Sequence, residues 1–278
     1  MAGVIIADNG QELLILGKKA PDRMSGELKI TFADDEQYDA TVKQKDGNLD
    51  MAVYAVSKDV IADSTWAKIE TATLGSSNIV MPGDTVIVLG RTYGNDNRMS
   101  YGLLEGDKSY AEYADGQYGV LHTDIIGTEE ESGVILNMDG EVIGIVSPSL
   151  TKEAVDMHIA GFAVSDIKNV IELLSNGVGV PYTGMRAVDL TEDMQEQGFP
   201  KGISVKEVEA DSPAMAAGIQ SGDIITEVDG VEVGTYAMYH NTLMKKGIGS
   251  KIELKGCRQG AGGEYVDIDF TVTVGTRD

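Results

Sequence analysis

The stretch "HTDIIGTEEESGVILNMDGEVIGIVS", His122 to Ser147, sets Ser132 in an acid-rich turn just before a short apolar strand. A serine hydroxyl becomes a nucleophile only when a neighbouring base takes its proton and a third group orients that base. The chain offers three imidazoles for that work, His122, His158 and His240. Ahead of the serine stand Glu129, Glu130 and Glu131. Such hard oxygen ligands suit calcium, but three consecutive acids diverge along an extended chain. A solvated loop is therefore expected there, with no metal and no cofactor.

Most elements that would position these groups read as strands. In "GVIIADNGQELLILG" two apolar runs flank Asp8-Asn9-Gly10, and Asn-Gly is a strong hairpin signal. "ELKITFADDEQYDATVKQKD" alternates apolar and polar residues, as half-buried strands do. "LDMAVYAVS", "DTVIVLGRTYG" and "EVIGIVS" are further strands, and no long amphipathic helix precedes residue 165. "SDIKNVIELLSNG" changes period: Ile167, Val170, Ile171 and Leu174 share a helical face, with Ser165 as the expected N-cap and Gly177 as the stop.

"GVGVPY" then reads as a linker. Beyond it, "GISVKEVEADSPAMAAGIQSGDIITEVDGVEV" predicts strand, short helix, strand and a turn at Asp229-Gly230. "TYAMYHNTLMKKG" predicts a helix capped by Thr235 and closed by Gly247. "SKIELKGCRQGAGGEYVDIDFTVTV" predicts a closing hairpin that turns at residues 260–263.

A net charge of −23 repels phosphate backbones, so nucleic acid is not an expected partner. Cys257 is the only cysteine, which excludes an intrachain disulfide. No window approaches the roughly 18 apolar residues of a membrane span. The opening "MAGVIIADNG" lacks the basic and long apolar regions of a signal peptide. Either the native chain has no leader or one has been removed, and contact with a membrane would need an N-terminal segment not present here.

The run "SPAMAAGIQSGDIITEVDGVEV" closely resembles PDZ domains of the bacterial, circularly permuted kind, position by position and in register. The resemblance implies a carboxylate-binding loop at Tyr182, Thr183, Gly184 and Met185, with Thr183 more polar than is usual there. Successive backbone N–H groups in such a turn cradle a terminal carboxylate. The following strand, with Arg186, Ala187 and Val188 and ending at Asp189, would pair with an incoming peptide. The helix from Tyr236 to Lys246 would form the other wall. Tyr239, His240, Leu243 and Met244 are candidates for the side-chain pocket. The i, i+4 pair Tyr239 and Leu243 suits a core equally well, and His240 suits a solvated helix position better than a catalytic one.

The preceding part, about residues 3–165, resembles the trypsin-like domain of the HtrA/Deg family. The motifs are "GVIIADNG", "QYDATVKQKDGNLDMAVYAV", "PGDTVIVLG", the serine stretch and "AGFAVSDIKNVIELL", in the family's order. A strand usually found before "GVII" is absent, which suggests a trimmed N-terminus. The resemblance assigns Ser132 as the nucleophile position and Asp50, in "NLDMAVYAV", as the orienting carboxylate. Where the family places its histidine base this chain has "LLILGKKAPD", with Lys18 at that position.

A lysine base must be neutral, with its pKa well below the usual ~10.4, and an adjacent carboxylate acts the other way. The family's G-N-S-G-G becomes Glu130-Glu131-Ser132-Gly133-Val134. Glutamate replaces the glycine whose freedom turns an N–H toward an oxyanion. Each nearby carboxylate would oppose that oxyanion by about 1–4 kcal/mol, and losing one donor costs roughly 10²–10³ in rate.

The expected architecture is mainly β: a trypsin-like double β-barrel over 1–176, a linker over 177–181 and an α+β PDZ domain over 182–278. The expected function is that of an HtrA-like pseudo-protease, a scaffold that binds C-terminal or extended peptides through its PDZ domain. The alternative is an active serine endopeptidase with an atypical triad. A third reading is a regulatory subunit that assembles with an active homologue or with itself. The family resemblance implies an extracytoplasmic location, in the cell envelope or periplasm, if a leader or anchor was trimmed.

Overall fold

The computed structural model describes residues 1–21, 27–92, 95–128, 130–196 and 198–277. Glu129, Asp22 and the Tyr93-Gly94 end of one predicted strand lie outside them. The chain forms two compact units, one of Met1–Ala111 and Tyr118–Val178, the other of Glu112–Gln117 and Gly179–Asp278.

The first unit begins with β1 (Gly3–Asp8), β2 (Glu12–Lys18), β3 (Lys29–Thr31), β4 (Gln37–Asp39), β5 (Thr41–Asp46) and β6 (Met51–Ser57). β1 and β2 form the hairpin that Asn9-Gly10 signals. The Asn9 side chain accepts from the N–H groups of Gln11 and Glu12 at 3.0 and 2.7 Å, and so holds the turn. The sheet order is β1-β2-β6-β5, with β3 and β4 paired separately. β2 lies between two strands and is covered on both faces, which is why "LLIL" is an unbroken apolar run. Leu13, Ile15, Tyr54 and Val56 share its core with Phe32.

After α1 (Asp63–Trp66), a closed barrel follows. Its strands are β7 (Thr85–Thr92), β8 (Asn95–Tyr113), β9 (Gly116–Ile126), β10 (Ser132–Leu136), β11 (Val142–Val146) and, after α2 (Pro148–Glu153), β12 (His158–Ala163). Around the barrel the order is β10-β11-β12-β9-β8-β7. Val86 and Val88, two apart, point into a core shared with Leu121, Ile135, Ile143 and Ile159.

α3 (Val164–Ser175) buries Ile167, Val170, Ile171 and Leu174, the face its period predicts, and Gly177 follows it at φ +70°. Ser165 is not its cap. The helix starts directly after β12 with Ala163 at the cap position and no side-chain cap bond. Ser165 sits inside the first turn, where its N–H donates to the Ser77 hydroxyl at 3.0 Å and its hydroxyl accepts from the Ser77 N–H at 2.9 Å. The free donor of the first turn is thus satisfied by a loop 88 residues away.

The second unit contains β13 (Met185–Asp189), α4 (Glu192–Glu196), β14 (Ile203–Val208), α5 (Pro213–Ala216), β15 (Ile224–Val228), β16 (Val231–Glu232), α6 (Tyr236–Leu243), β17 (Lys251–Gln259) and β18 (Tyr265–Thr273). Its sheet runs β13-β14-β15-β17-β18, so β13 is an edge strand, and β16 pairs with β15. Ser212 and Thr235 cap α5 and α6 by accepting from the N–H groups of Met215 and Met238. Both units are mainly β, as the alternation of the sequence implies.

Candidate functional sites: the Ser132 turn and the Tyr182 to Met185 loop

Ser132 opens β10, opposite Arg91 of β7. Its side chain is buried, 3% exposed. Among the described residues its hydroxyl has one hydrogen-bond partner, the N–H of Ala2, which donates to Oγ at 2.8 Å. Lys18, at the end of β2, forms a 3.5 Å ion pair with Asp50, and both side chains are more than a third exposed. The two candidates therefore meet each other, and neither bonds to the serine.

Each histidine is committed elsewhere. His122 Nε2 meets Ser109 Oγ at 2.8 Å, His158 Nδ1 meets Glu105 Oε2 at 2.7 Å, and His240 Nδ1 lies 2.8 Å from the Asp115 carbonyl oxygen. His122 is held below the usual imidazole range by burial.

The acidic turn is only partly as expected. Glu130 is exposed and pairs with Arg91 at 3.3 Å. Glu131 is not solvated: it is 1% exposed, and its Oε1 accepts from the Thr128 N–H at 2.8 Å. It folds back as a local cap over its own turn, a geometry that a reading of three consecutive acids does not show. Among the described residues no group of three or more potential ligands could hold a metal ion.

Gly133 has a structural reason to persist. At φ +144°, a Cβ there would lie 2.2 Å from the Leu89 carbonyl oxygen of the paired strand. Close strand pairing excludes a side chain at this position whether or not Ser132 is a nucleophile.

In the second unit the loop from Tyr182 to Met185 is a carboxylate cradle with a carboxylate in it. Asp115, which clusters with this unit, presents Oδ2 to the N–H groups of Thr183 and Gly184 at 2.7 and 2.8 Å. Its Oδ1 accepts from the Met185 N–H at 3.4 Å, from the Tyr239 hydroxyl at 2.9 Å and from the Thr183 hydroxyl. Burial pushes the Asp115 carboxyl above the usual range, against the opposing effect of these donors. The polar Thr183 is explained by this contact, since its hydroxyl bonds the carboxylate.

Gly184 permits the turn. Its φ is +84°, and a Cβ would sit 2.3 Å from Ser212 Cβ and 2.7 Å from the Tyr182 hydroxyl. That hydroxyl donates to Glu209 Oε2 at 2.7 Å. Although burial alone would raise it, Glu209 is held low by Tyr182, Arg277 and Arg186 together. Arg186 of β13 reaches Glu209, the residue after β14, at 3.3 Å.

Tyr239 and Leu243 are fully buried in the core of the unit, with Met185 and Ala187. Only the Tyr239 hydroxyl tip reaches the cradle. Val188 is half-buried and Met244 partly exposed. His240 is half-buried on the helix. Its Nδ1 is within hydrogen-bonding distance of the Asp115 carbonyl, and burial holds it below the usual range.

Asp115 belongs to none of the motifs to which the sequence assigns a role. The signal is present only as Asp115-Gly116, a hairpin dipeptide between β8 and β9. Nothing local in it announces a partner 68 residues away.

A family profile described as "Trypsin-like peptidase domain" matches residues 3–145, and one described as "PDZ domain" matches residues 161–271. The second profile begins in β12 and covers α3, which cluster in the first unit. Serine protease Do-like HtrA of Bacillus subtilis is 30% identical over 93% of this chain and 61% of its own length. A probable periplasmic serine endoprotease, DegP-like, of Halomonas elongata is 26% identical over 99% of this chain and 56% of its own. The chain thus spans about three fifths of the length of the curated relatives it matches.

Among solved structures, the HtrA-type protease AlgW with decapeptide superposes with a TM-score of 0.63 at 20% identity, over 99% of this chain and 82% of that one. The serine endoprotease from Yersinia pestis gives 0.61 at 21%, over 99% and 88%. These two likenesses concern the fold alone. No helix among the described residues is long and apolar enough to cross a membrane. The trypsin-like match, the PDZ match and the relatives in their shared order identify the chain as a member of the HtrA/Deg family of trypsin-like peptidases that carry a PDZ domain.

Proposed function

We propose that this chain is a non-catalytic HtrA-like protein that binds peptides carrying a free C-terminal carboxylate through its PDZ domain, with the peptidase fold kept as a scaffold. One observation carries the binding half: the N–H groups of Thr183, Gly184 and Met185 converge on a carboxylate. Backbone donors aimed at one anion bind it without regard to the residue that bears it, and an adjacent edge strand supplies a ladder for the rest of a peptide. β13 is such an edge.

The non-catalytic half rests on Ser132, whose hydroxyl meets Ala2 N–H and, among the described residues, no base. The relatives' names favour the alternative, an active endopeptidase with an atypical triad. Against it stand the Lys18–Asp50 pair and the three histidines engaged elsewhere. The "periplasmic" in two relatives' names favours an extracytoplasmic location. An active homologue or a second copy is a further candidate partner.

The binding half is tested with peptides of one sequence set made both as free acids and as C-terminal amides. The immobilised full chain should retain the acids in preference at saturating concentration. Equal retention of acids and amides contradicts the reading.

A further inference from the structure

The cradle in the second unit is filled by the protein's own side chain. Asp115 is 4% exposed, and its carboxylate accepts from three consecutive loop N–H groups and two hydroxyls. Its backbone adds two contacts. The Asp115 N–H donates to the Met185 carbonyl at 2.7 Å, as the first rung of a strand added to β13 would. The Asp115 carbonyl oxygen faces His240 Nδ1 at 2.8 Å on α6. One residue earlier in this turn, Ala114 is fully buried, and the Tyr113 carbonyl accepts from the Tyr236 hydroxyl at 3.1 Å. The turn thus touches the loop, the edge strand and the helix, the three parts that a C-terminal peptide would use.

We propose that Asp115 is a built-in occupant of the carboxylate cradle, and that a peptide with a free C-terminal carboxylate enters only by displacing it. This deepens the peptide-binding reading above and rests on it. Two features show how the occupant is held and why it can leave. Asp115 adopts φ +62°, a left-handed conformation that strains a residue with a side chain, though Asp tolerates it better than most. The following Gly116 is required, because a Cβ there would lie 2.7 Å from His240 Nδ1. The occupant is therefore a tight turn held by hydrogen bonds rather than by apolar packing of its own side chain. Its buried carboxyl is costly to keep ionised. A ligand that supplies another carboxylate to the same donors, and continues along β13, replaces those bonds and adds more.

The occupied cradle also sets the class of competitor. Amides and internal peptide segments lack the anion that the three N–H groups select, so they do not compete for it.

The experiment uses the full chain and two variants that suit a left-handed residue. Asp115→Gly vacates the cradle, and Asp115→Asn keeps the shape without the charge. The probe is a fluorescein-labelled heptapeptide library randomised at its last four positions, prepared as free acids and as amides. The expected result is at least a tenfold gain in free-acid retention for Asp115→Gly over the wild type. A smaller gain is expected for Asp115→Asn, with amide retention unchanged in all three. Circular dichroism checks the fold of each variant, and Asp115→Asn carries the test if the glycine variant does not fold. Equal free-acid retention by wild type and variants overturns the occupancy while leaving the peptide-binding reading standing. No preference for acids in any of the three overturns both.

Discussion

Gly184→Val is expected to lower the stability of the second unit by more than about 4 kcal/mol and to abolish any preference for free-acid peptides. Two costs combine at this position. At φ +84° the backbone is in the region where a β-branched residue is a genuine outlier, worth about 1–3 kcal/mol. The new Cβ would also stand 2.3 Å from Ser212 Cβ, on a buried helix cap that has little room to move. Gly222→Val separates these terms. Gly222 has a similar φ of +93°, but nothing lies within 4 Å of its would-be Cβ, so it should show the backbone cost alone. Thermal unfolding of both variants measures the difference, and equal losses would mean that the close approach at Gly184 is not a constraint.

Phe162→Ala should cost the first unit about 3–5 kcal/mol, the range for truncating a buried aromatic. Phe162 is fully buried in β12 and meets Tyr118 edge-on, with ring centroids 6.2 Å apart. Its neighbours are strands of a closed barrel, which collapse poorly onto a void, so the upper part of the range is expected. Scanning calorimetry should show the transition of the first unit moving down by on the order of 10 °C. A shift of only a degree or two would mean that the barrel closes over the gap.

Phe162 also shows what could be read from the chain. It lies in "AGFAV", part of the pattern by which the sequence resembles its family, and the strand is found there. The hairpin at Asn9-Gly10 and the buried face of α3 were legible for the same reason: turn chemistry and helical period are local properties. The cap at Ser165 was misread because a distant loop, through Ser77, supplies the bond that a cap would have made.

Glu131 was misread because burial of one acid depends on a turn closing over itself. The motif sets the expectation of a loop from Tyr182 to Met185, and the N–H groups there meet an anion from the chain itself. The anion itself could not be foreseen: Asp115 reads as half of a hairpin dipeptide, and its role comes from contacts between segments far apart in sequence. The pocket residues Tyr239 and Leu243 fit an amphipathic helix on either face. Packing alone decides that they are core.

Removing the base and nucleophile of a serine hydrolase costs about 10⁶ in turnover, so absence of the base is a claim with a large chemical signature. Fluorophosphonate modification reads it at the serine itself, by intact mass of the full chain at neutral pH beside an active serine hydrolase as control. The expected result is that the control is modified while this protein keeps its native mass. One equivalent of adduct at Ser132, absent from Ser132→Ala, would contradict it.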